Sequence, residues 1–385
     1  MAEQLNMAIV GCGGMAGAHR RGLQKLWEAG LRGIMVTAVC DTVGERTEKM
    51  ASELAAFQGS EPAKYQRIED MLKSERSLDA VDIVTDHKSH HTLTAQSFAA
   101  GKHVTIEKPL AITIKAGLLM IEAANKAGKL LHVAENYRRS PEQRAVNWAV
   151  RKGRIGTPRM IYWVDISERR WHWGWRDHRE IAGGGWSLDG GVHFADLFRY
   201  HVGEVKTLFA VSKTYDRIRY RDRENLRDPV EATIEDTTLA VLDFDNGVTG
   251  QWTSTNSAPG HKATIRALYG SEGAIVWGEG LVLRDRKMPM EDLIKEHRAS
   301  LKKDELERLF PAGVEDTIAT ELHEFYSAVV NGTPMEVDGL QGLKDEAISI
   351  AIYESAALGK PVEIARVESG EISTYQDDLN RDLGL

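Results

Sequence analysis

The residues best suited to chemistry lie in the segment Gly183-Gly-Gly-Trp-Ser-Leu-Asp189-Gly-Gly-Val-His193. Asp189 and His193 are four residues apart, so a helix that starts here places both side chains on one face. An imidazole titrates near neutral pH and can take a proton from an alcohol, and a nearby carboxylate can orient the ring. The segment therefore indicates an acid–base pair. The alternative is a helix start in which Asp189 is a capping residue and His193 is a half-buried polar residue.

A nucleotide-binding pattern lies near the N-terminus. An apolar strand over residues 6–10 is followed by the G-x-G-x-x-A fingerprint and by a helical pattern over 17–27; the fingerprint comprises Gly11, Gly13, Gly14, Met15 and Ala16. Its glycines allow a tight turn and a close approach of a pyrophosphate, and Ala16 keeps the helix near the strand. A second strand over 35–40 ends in Asp41, where a carboxylate can bind ribose hydroxyls and repel a 2′-phosphate. The pattern predicts NAD rather than NADP.

The spacing of apolar residues predicts two domains. Apolar runs alternate with helical patterns up to about residue 136, as in a doubly wound parallel sheet. Later runs, including 159–166 and 237–244, indicate a mostly antiparallel sheet. We therefore expect an α/β fold with a Rossmann domain over residues 1–136. Residues 137–385 should form an α+β domain with a large, mostly antiparallel open sheet, for substrate binding and oligomerisation. Charged insertions lie at 217–235 and 283–315, and a polar helix is predicted over 290–310.

A third motif places a lysine at the end of a strand, in Val104-Thr-Ile-Glu107-Lys108-Pro109. With the glycine fingerprint, Asp41, the N-x-R-x-x-P run from Asn136 and the motif G-G-G-x-x-x-D-x-G-x-H-x-x-D from Gly183, it resembles the Gfo/Idh/MocA family of sugar and cyclitol dehydrogenases. The resemblance covers nearly the whole chain. It implies that Lys108, Asp189 and His193 form the catalytic group.

The resemblance, together with the ends of the predicted strands, also assigns the cofactor site. We expect NAD to be bound by Gly11, Gly13, Gly14, Met15, Ala16, Asp41, Thr85, His87, His90, Glu107, Lys108 and Asn136. One departure is visible, because Thr85-Asp86-His87-Lys-Ser-His90 replaces the usual T-P-N-x-x-H. The cluster of His87, His90 and His91 beside Asp86 invites a metal interpretation, but it follows a parallel strand and opens a helix. We predict no metal site.

Residues 163–186 contain five of the nine tryptophans together with several arginines. Indole faces suit the C–H faces of pyranose rings, and guanidinium groups suit paired anionic oxygens. This pattern predicts a ring-stacking pocket with an anion-binding arginine; the alternative is a packed loop or a subunit contact with its arginines paired to carboxylates. The predicted substrate-binding residues are Lys108, Arg138, Trp173, Trp175, Arg176, Trp186, Asp189 and His193.

These motifs leave three functions to compare. The first is an NAD-dependent oxidoreductase that oxidises a secondary ring hydroxyl of a pyranose sugar, glycoside or cyclitol. In it His193 is the general base, Lys108 hydrogen-bonds the reacting oxygen and Asp189 orients His193. Lys108 and His193 could exchange these proton-transfer roles. The second is an NAD-dependent glycosidase that oxidises, eliminates and re-reduces, acting on a sulfonated or uronic glycoside. The third, a non-catalytic NAD sensor, is disfavoured because all three catalytic positions are filled.

Composition narrows the partners. The formal net charge of −8 gives no reason to expect nucleic acid or an anionic membrane as a partner. No apolar stretch approaches the ~20 residues that span a bilayer, and the N-terminus lacks a secretory pattern. Cys12 and Cys40 have neither metal nor disulfide spacing. We expect a cytoplasmic protein that acts on a small carbohydrate and, because an open sheet often has one face to cover, forms a homodimer or homotetramer.

Overall fold

The computed structural model describes residues 4–385, which form two compact units. The first unit comprises the described residues up to Ala111, together with residues 116–140 and 302–342. The second unit comprises residues 112–115, 141–301 and 343–385. The predicted α/β class is confirmed, with a parallel sheet in the first unit and a mostly antiparallel sheet in the second.

The first unit is built on a six-stranded parallel sheet. Its strands are β1 (Leu5–Val10), β2 (Ile34–Cys40), β3 (Ala63–Tyr65), β4 (Ala80–Ile83), β5 (His103–Glu107) and β6 (Leu131–Ala134), in the order β3-β2-β1-β4-β5-β6. The helices between them are α1 (Gly14–Glu28), α2 (Gly44–Gln58), α3 (Ile68–Ser74), α4 (His90–Ala99) and α5 (Ile114–Ala127). Strands β2 and β3 lie on one side of β1, and β4, β5 and β6 lie on its other side, so the strand order switches direction beside β1. Ligands bind at such a switch point, beyond the carboxyl ends of the strands.

The second unit begins with helices and strands that carry the segment predicted to be catalytic, residues 183–193. These are α6 (Pro141–Arg151), β7 (Pro158–Ile166), α7 (Arg179–Ala182), α8 (Trp186–Asp189), α9 (Gly191–His201), β8 (Val205–Lys213), β9 (Ile218–Asp222), β10 (Arg227–Glu231), β11 (Thr237–Phe244), β12 (Thr249–Thr255), β13 (Ala263–Gly270), β14 (Gly273–Val276), β15 (Gly280–Leu283), β16 (Lys287–Pro289) and α10 (Met290–Ser300). Short 3₁₀ turns lie at His87–Ser89 and Tyr137–Arg139 in the first unit and at Gly174–Asp177 in the second.

The remaining elements are α11 (Lys303–Leu309), α12 (Thr317–Asn331), α13 (Gly339–Leu358), β17 (Val362–Glu363), α14 (Ile364–Glu368) and α15 (Asp377–Asp382). The polar helix predicted over 290–310 is two helices, α10 and α11. Leu301 and Lys302 have extended dihedrals, and the Glu305 side chain accepts a hydrogen bond from the Lys302 amide (3.1 Å), which starts α11 separately.

Residues 302–342 lie in the first unit, whereas the sequence pattern places them in the second domain. The reason is packing. Leu322 and Phe325 of α12 belong to the same apolar cluster as Leu23 and Leu26 of α1. A Cβ added at Gly22 would lie 3.1 Å from the Ala319 amide, so a glycine there lets the two helices approach closely.

The large sheet of the second unit has nine strands in the order β16-β15-β14-β13-β7-β12-β11-β8-β17, with β7 and β12 as its parallel pair. One face packs on α9: the rings of Trp163 and Phe194 are 5.0 Å apart, and those of Phe198 and Trp252 are 5.5 Å apart. The sheet therefore fixes the helix that carries His193. Among the helices of residues 4–385, none is long and apolar enough to cross a membrane.

Candidate active site

The glycine turn after β1 has the geometry of a phosphate-binding loop. Gly11 has φ +89°, and a Cβ there would lie 2.2 Å from the Val84 carbonyl oxygen, so only glycine fits. Helix α1 starts at Gly14, with Gly13 as its N-cap and no side-chain cap. A Cβ at Gly13 or Gly14 would meet no atom within 4 Å, so the helix N-terminus faces open space. Such an N-terminus suits a pyrophosphate, and these residues fit NAD.

Asp41 lies directly beyond β2 and is nearly buried. Its Oδ2 accepts a hydrogen bond from the Cys12 amide (2.8 Å), and its Oδ1 accepts one from the Val43 amide (2.9 Å). The guanidinium of Arg46 is 3.8 Å from Oδ1. The carboxylate is thus fixed beside the glycine turn, in the place where the sequence predicts ribose binding.

The corner Glu107–Lys108–Pro109 follows β5 and is held by two buried histidines. Glu107 Oε1 lies 3.0 Å from His19 Nε2, and Glu107 Oε2 accepts a hydrogen bond from the Lys108 amide (3.1 Å). His90 Nδ1 donates to the Pro109 carbonyl oxygen (3.0 Å). Burial lowers the pKa of His90 to about 3, so this ring is neutral at physiological pH. Glu107 and His90, predicted as cofactor contacts, have their polar atoms directed into the corner that carries Lys108.

The other predicted cofactor residues lie beyond neighbouring strands of the same sheet. Thr85 follows β4 and accepts a hydrogen bond from the Ser89 hydroxyl (2.8 Å), and His87 is buried. Asn136 follows β6, and its amide donates to the Thr317 hydroxyl (3.1 Å). Within residues 4–385 no group of three or more histidine, cysteine or acidic side chains is arranged to hold a metal ion.

Arg138 was predicted to bind substrate and lies in the first unit. Its side chain is buried in the 3₁₀ turn after β6, and its Nη1 is 3.4 Å from the Glu336 carbonyl oxygen. The structure therefore ties Arg138 to the segment after α12.

The candidate catalytic segment of the second unit, residues 183–193, is held by the buried carboxylate of Glu235. This group accepts hydrogen bonds from the amides of Gly185 (2.7 Å) and Ser187 (3.1 Å) and from the Tyr353 hydroxyl (3.0 Å). It thereby satisfies amides at the start of α8, which has no cap of its own. A Cβ at Gly185 would lie 2.6 Å from the Glu235 carbonyl oxygen, and one at Gly184 2.5 Å from the Tyr353 hydroxyl. Burial raises the pKa of Glu235.

Asp189 ends α8 and His193 lies in the first turn of α9. Gly190 between the helices has φ −100° and ψ −28°, so the chain stays helical and the two residues remain on one side. Both are nearly buried. The side chain of Asp189 accepts a hydrogen bond from Arg176 Nε (3.1 Å), and α9 has Gly190 as its N-cap.

A pocket of about 590 Å³ lies beside this segment. We call it the indole pocket, because Trp171, Trp173 and Trp186 line it together with the ends of β7, β12 and β13. The rings of Trp173 and Trp186 are 5.9 Å apart. Arg176 stacks on Trp173 (5.1 Å) while it bonds Asp189, so the loop that lines the pocket contacts the catalytic segment. Trp175, also predicted to bind substrate, stacks on Arg176 (4.3 Å) behind the pocket wall.

Three arginines of this loop pair with carboxylates, and a fourth, Arg170, lies over the Tyr220 ring (5.5 Å). Arg169 pairs with Asp177 (3.0 Å), Arg176 with Asp189 (3.1 Å) and Arg179 with Asp378 (2.7 Å). Arg266, which lines the pocket from β13, pairs with Asp165 (2.9 Å). The four arginines that pair with carboxylates therefore have their charge compensated inside the protein, which argues against a strong anion site built from them; Lys262 also lines the indole pocket.

The hairpin β9–β10 supports the loop from behind. The His172 amide donates to the Tyr220 carbonyl (2.8 Å), and the Tyr220 amide donates to the Arg170 carbonyl (2.9 Å). Arg223 lies 4.0 Å from the Trp171 ring centroid. The charged insertion at 217–235 is thus a strand partner that orders the wall of the pocket.

Two important residues were missed from the sequence. His19 lies on α1 three residues after Ala16, so the helical spacing of the fingerprint could have indicated its burial. Glu235 lies 50 residues from the amide it binds, and no local pattern signals that contact.

The parallel sheet, glycine turn and Asp41 define a dinucleotide-binding oxidoreductase domain. Two family models match the chain: the NAD-binding Rossmann fold of the oxidoreductase family over residues 5–135, and its C-terminal alpha/beta domain over residues 148–364. The chain belongs to the Gfo/Idh/MocA oxidoreductase family and is an enzyme with NAD as its cofactor.

Curated relatives extend over almost the whole chain. Levoglucosan dehydrogenase of Pseudarthrobacter phenanthrenivorans is 26% identical and covers 95% of this chain and 100% of its own. The NAD-dependent scyllo-inositol 2-dehydrogenase of Bacillus subtilis is 25% identical and covers 94% and 97%. The solved structure of levoglucosan dehydrogenase with NADH has a TM-score of 0.76 at 23% identity and covers 94% and 99%, which shows the shared fold.

The Glu235 contacts yield a stability prediction. In Glu235→Ala the Gly185 and Ser187 amides lose their buried acceptor, and each unsatisfied group costs about 1–3 kcal/mol. We expect urea unfolding to show a lower free energy of unfolding for Glu235→Ala, by about 1–3 kcal/mol for each of the two amides. The decrease should be smaller in Glu235→Gln, which keeps one acceptor oxygen. The exposed Glu231→Ala is the control and should change stability by less than about 0.5 kcal/mol. Equal stability of Glu235→Ala and Glu231→Ala would contradict the assigned role.

Proposed function

We propose that this protein is an NAD-dependent dehydrogenase that oxidises a secondary ring hydroxyl of an uncharged pyranose, glycoside or cyclitol. The observation that carries the proposal is the indole pocket, joined to the Asp189–His193 segment through Arg176. The NAD-binding domain and the sugar and cyclitol dehydrogenases among the relatives support the same reaction class.

In the proposed mechanism each residue has one task. Lys108 hydrogen-bonds the reacting hydroxyl and stabilises negative charge on its oxygen. His193 takes the hydroxyl proton, and Asp189, held by Arg176, keeps the imidazole oriented on the shared helical side. Gly11, Gly13 and Asp41 would hold NAD, which would supply the hydride acceptor that this oxidation needs.

The same pocket supports an uncharged substrate. Three indoles line the pocket, and an indole face suits the C–H face of a sugar ring. The arginines nearby are paired with Asp177, Asp189 and Asp165, so a uronate or sulfonate would compete with carboxylates already in place. The glycosidase alternative with an anionic substrate loses its main support, and the relatives reported above are dehydrogenases.

A substrate panel tests this assignment. We expect NADH to accumulate with neutral pyranoses, anhydrosugars or inositols, in one-to-one ratio with a ketone product, and uronates to be poor substrates. Because an aromatic contact is worth about 0.5–1.5 kcal/mol beyond its buried area, Trp186→Ala should raise KM about tenfold. Trp148→Ala, which removes an indole from α6, should leave KM unchanged. Release of an aglycone without net NADH, or preference for uronates, would contradict the proposal.

The catalytic assignment has a separate test. Lys108→Ala and His193→Ala should each lower kcat about 10²–10⁴-fold, as expected for loss of one positioned acid–base group, while NAD still binds. Lys126→Ala, an exposed lysine on α5, is the matched control and should retain full activity. Near-normal turnover in either active-site variant removes that residue from the mechanism.

We also propose that two copies of the chain associate through the outer face of the nine-stranded sheet. Phe209, Val211, Leu239, Val241 and Ile265 on this face are 39–60% exposed. The register places Val211 opposite Leu239 and Phe209 opposite Val241, so the apolar side chains form contiguous rows. Exposed apolar rows of this kind mark association surfaces, and a two-fold axis lets one patch cover its copy.

Light scattering tests the association. The wild-type protein should have at least the mass of a dimer at micromolar concentration, and Val241→Lys should shift it to the monomer, because a buried unpaired charge is costly. Leu118→Lys introduces the same charge at an exposed leucine of α5 and should leave the mass unchanged. A monomeric wild type, or an unchanged mass in Val241→Lys, would contradict association through this face.

A further inference from the structure

A fully buried histidine joins the cofactor-binding helix to the corner that carries Lys108. His19 is on α1, one turn after the glycine fingerprint. Its Nδ1 lies 2.8 Å from Asp82 Oδ2 of β4, and its Nε2 lies 3.0 Å from Glu107 Oε1 at the end of β5. All three residues are nearly or completely buried. We call them the Asp82–His19–Glu107 triad.

The geometry requires an extra proton. A carboxylate oxygen only accepts hydrogen bonds, and a neutral imidazole has a single N–H. Two short contacts from one ring to two carboxylates therefore need an imidazolium or a protonated carboxyl group. Burial alone would lower the pKa of His19, but the charges and hydrogen bonds of Asp82 and Glu107 outweigh it and raise this pKa well above its usual range.

The triad acts on the backbone next to Lys108. The same carboxylate that His19 binds through Oε1 accepts the Lys108 amide through Oε2. His90 fixes the other side of the corner through the Pro109 carbonyl. The position of the lysine thus depends on the orientation of the Glu107 carboxylate.

We propose that His19, as an imidazolium, is a positioning residue that orients Glu107 and thereby positions Lys108. Because His19 lies on α1, which begins at the glycine turn, it sets the position of Lys108 relative to that turn. The proposal rests on the function proposed for Lys108. Its alternative is a buried ion cluster that contributes stability alone.

Besides Asp82 and Glu107, Glu321 of α12 and His132 of β6 interact with the charge of His19. Burial raises the pKa of Glu321 well above its usual range, and burial lowers the pKa of His132 to about 3, so the His132 ring is neutral near pH 7. The carboxylates within hydrogen-bonding distance of the His19 ring are those of Asp82 and Glu107.

Nitrogen NMR of the imidazole rings tests the charge state without any activity measurement. The His19 ring should show two protonated nitrogens at pH 8 in the wild-type protein, and this signal should disappear in His19→Gln. A His19 ring with one protonated nitrogen at pH 8 would overturn the proposal. This result does not depend on whether the protein oxidises sugars, so a failed substrate panel and a failed triad are distinguishable.

Kinetics test the positioning role. A displacement of about 1 Å at a reacting group costs on the order of 10²-fold in rate, so His19→Gln should lower kcat by that amount and leave the Kd of NAD within a factor of about three. His132→Gln removes an equally buried imidazole, which bonds Thr105 (2.8 Å), and should keep its kcat. His19→Gln and Glu107→Gln should be non-additive, because both act through one carboxylate. Additive losses, or an unchanged kcat in His19→Gln, would leave only a structural role.

A second variant covers the case in which His19→Gln fails to fold. Asp82→Asn keeps the shape of the triad and removes one of the two charges that hold the proton on His19. The pKa of His19 should then fall, and kcat should decrease with rising pH over a range in which the wild-type kcat is constant. A pH profile identical to that of the wild type would contradict the role of the imidazolium.

Discussion

The hydrogen bonds of the buried Glu235 carboxylate hold the segment of residues 183–193 that is proposed to be catalytic. The carboxylate binds the amides of Gly185 and Ser187 where α8 begins, and glycines at 184 and 185 are required because a Cβ would collide with Tyr353 or Glu235. With the start of α8 fixed, the helical path through Gly190 places Asp189 and His193 on one side. The glycine run is therefore a requirement of close packing, and the shared side of Asp189 and His193, the proposed acid–base pair, follows from it.

The corner Glu107–Lys108–Pro109 of the first unit is held by the same kind of interaction, a buried carboxylate that accepts a main-chain amide. There the carboxylate of Glu107 accepts the Lys108 amide, and an imidazole fixes that carboxylate from the other side. In both places a buried carboxylate orients main-chain amides beside a catalytic candidate. Such groups are costly to bury without partners, which is why each one has two or more hydrogen bonds.

The sequence predicted the elements that have local signals. The alternation of strands and helices, the glycine turn and the strand that ends in Asp41 were recognised because each depends on residues close in the chain. Contacts between distant segments gave no such signal. The 50-residue separation of Gly185 and Glu235, the packing of α12 on α1 and the pairing of the loop arginines emerge only from the folded chain. The break at Leu301 was missed because the polar pattern continues across it.

The proposed reaction would transfer a hydride from a ring carbon directly to NAD, while the residues of this chain move only the hydroxyl proton. The most direct test uses a sugar carrying deuterium at the carbon of the oxidised hydroxyl, with mass spectrometry of the cofactor and of the product. The account predicts one deuterium in the reduced cofactor, none in the ketone at that carbon and a slower turnover. Deuterium that is lost to water, or that returns to a hydrolysed product, would contradict the account.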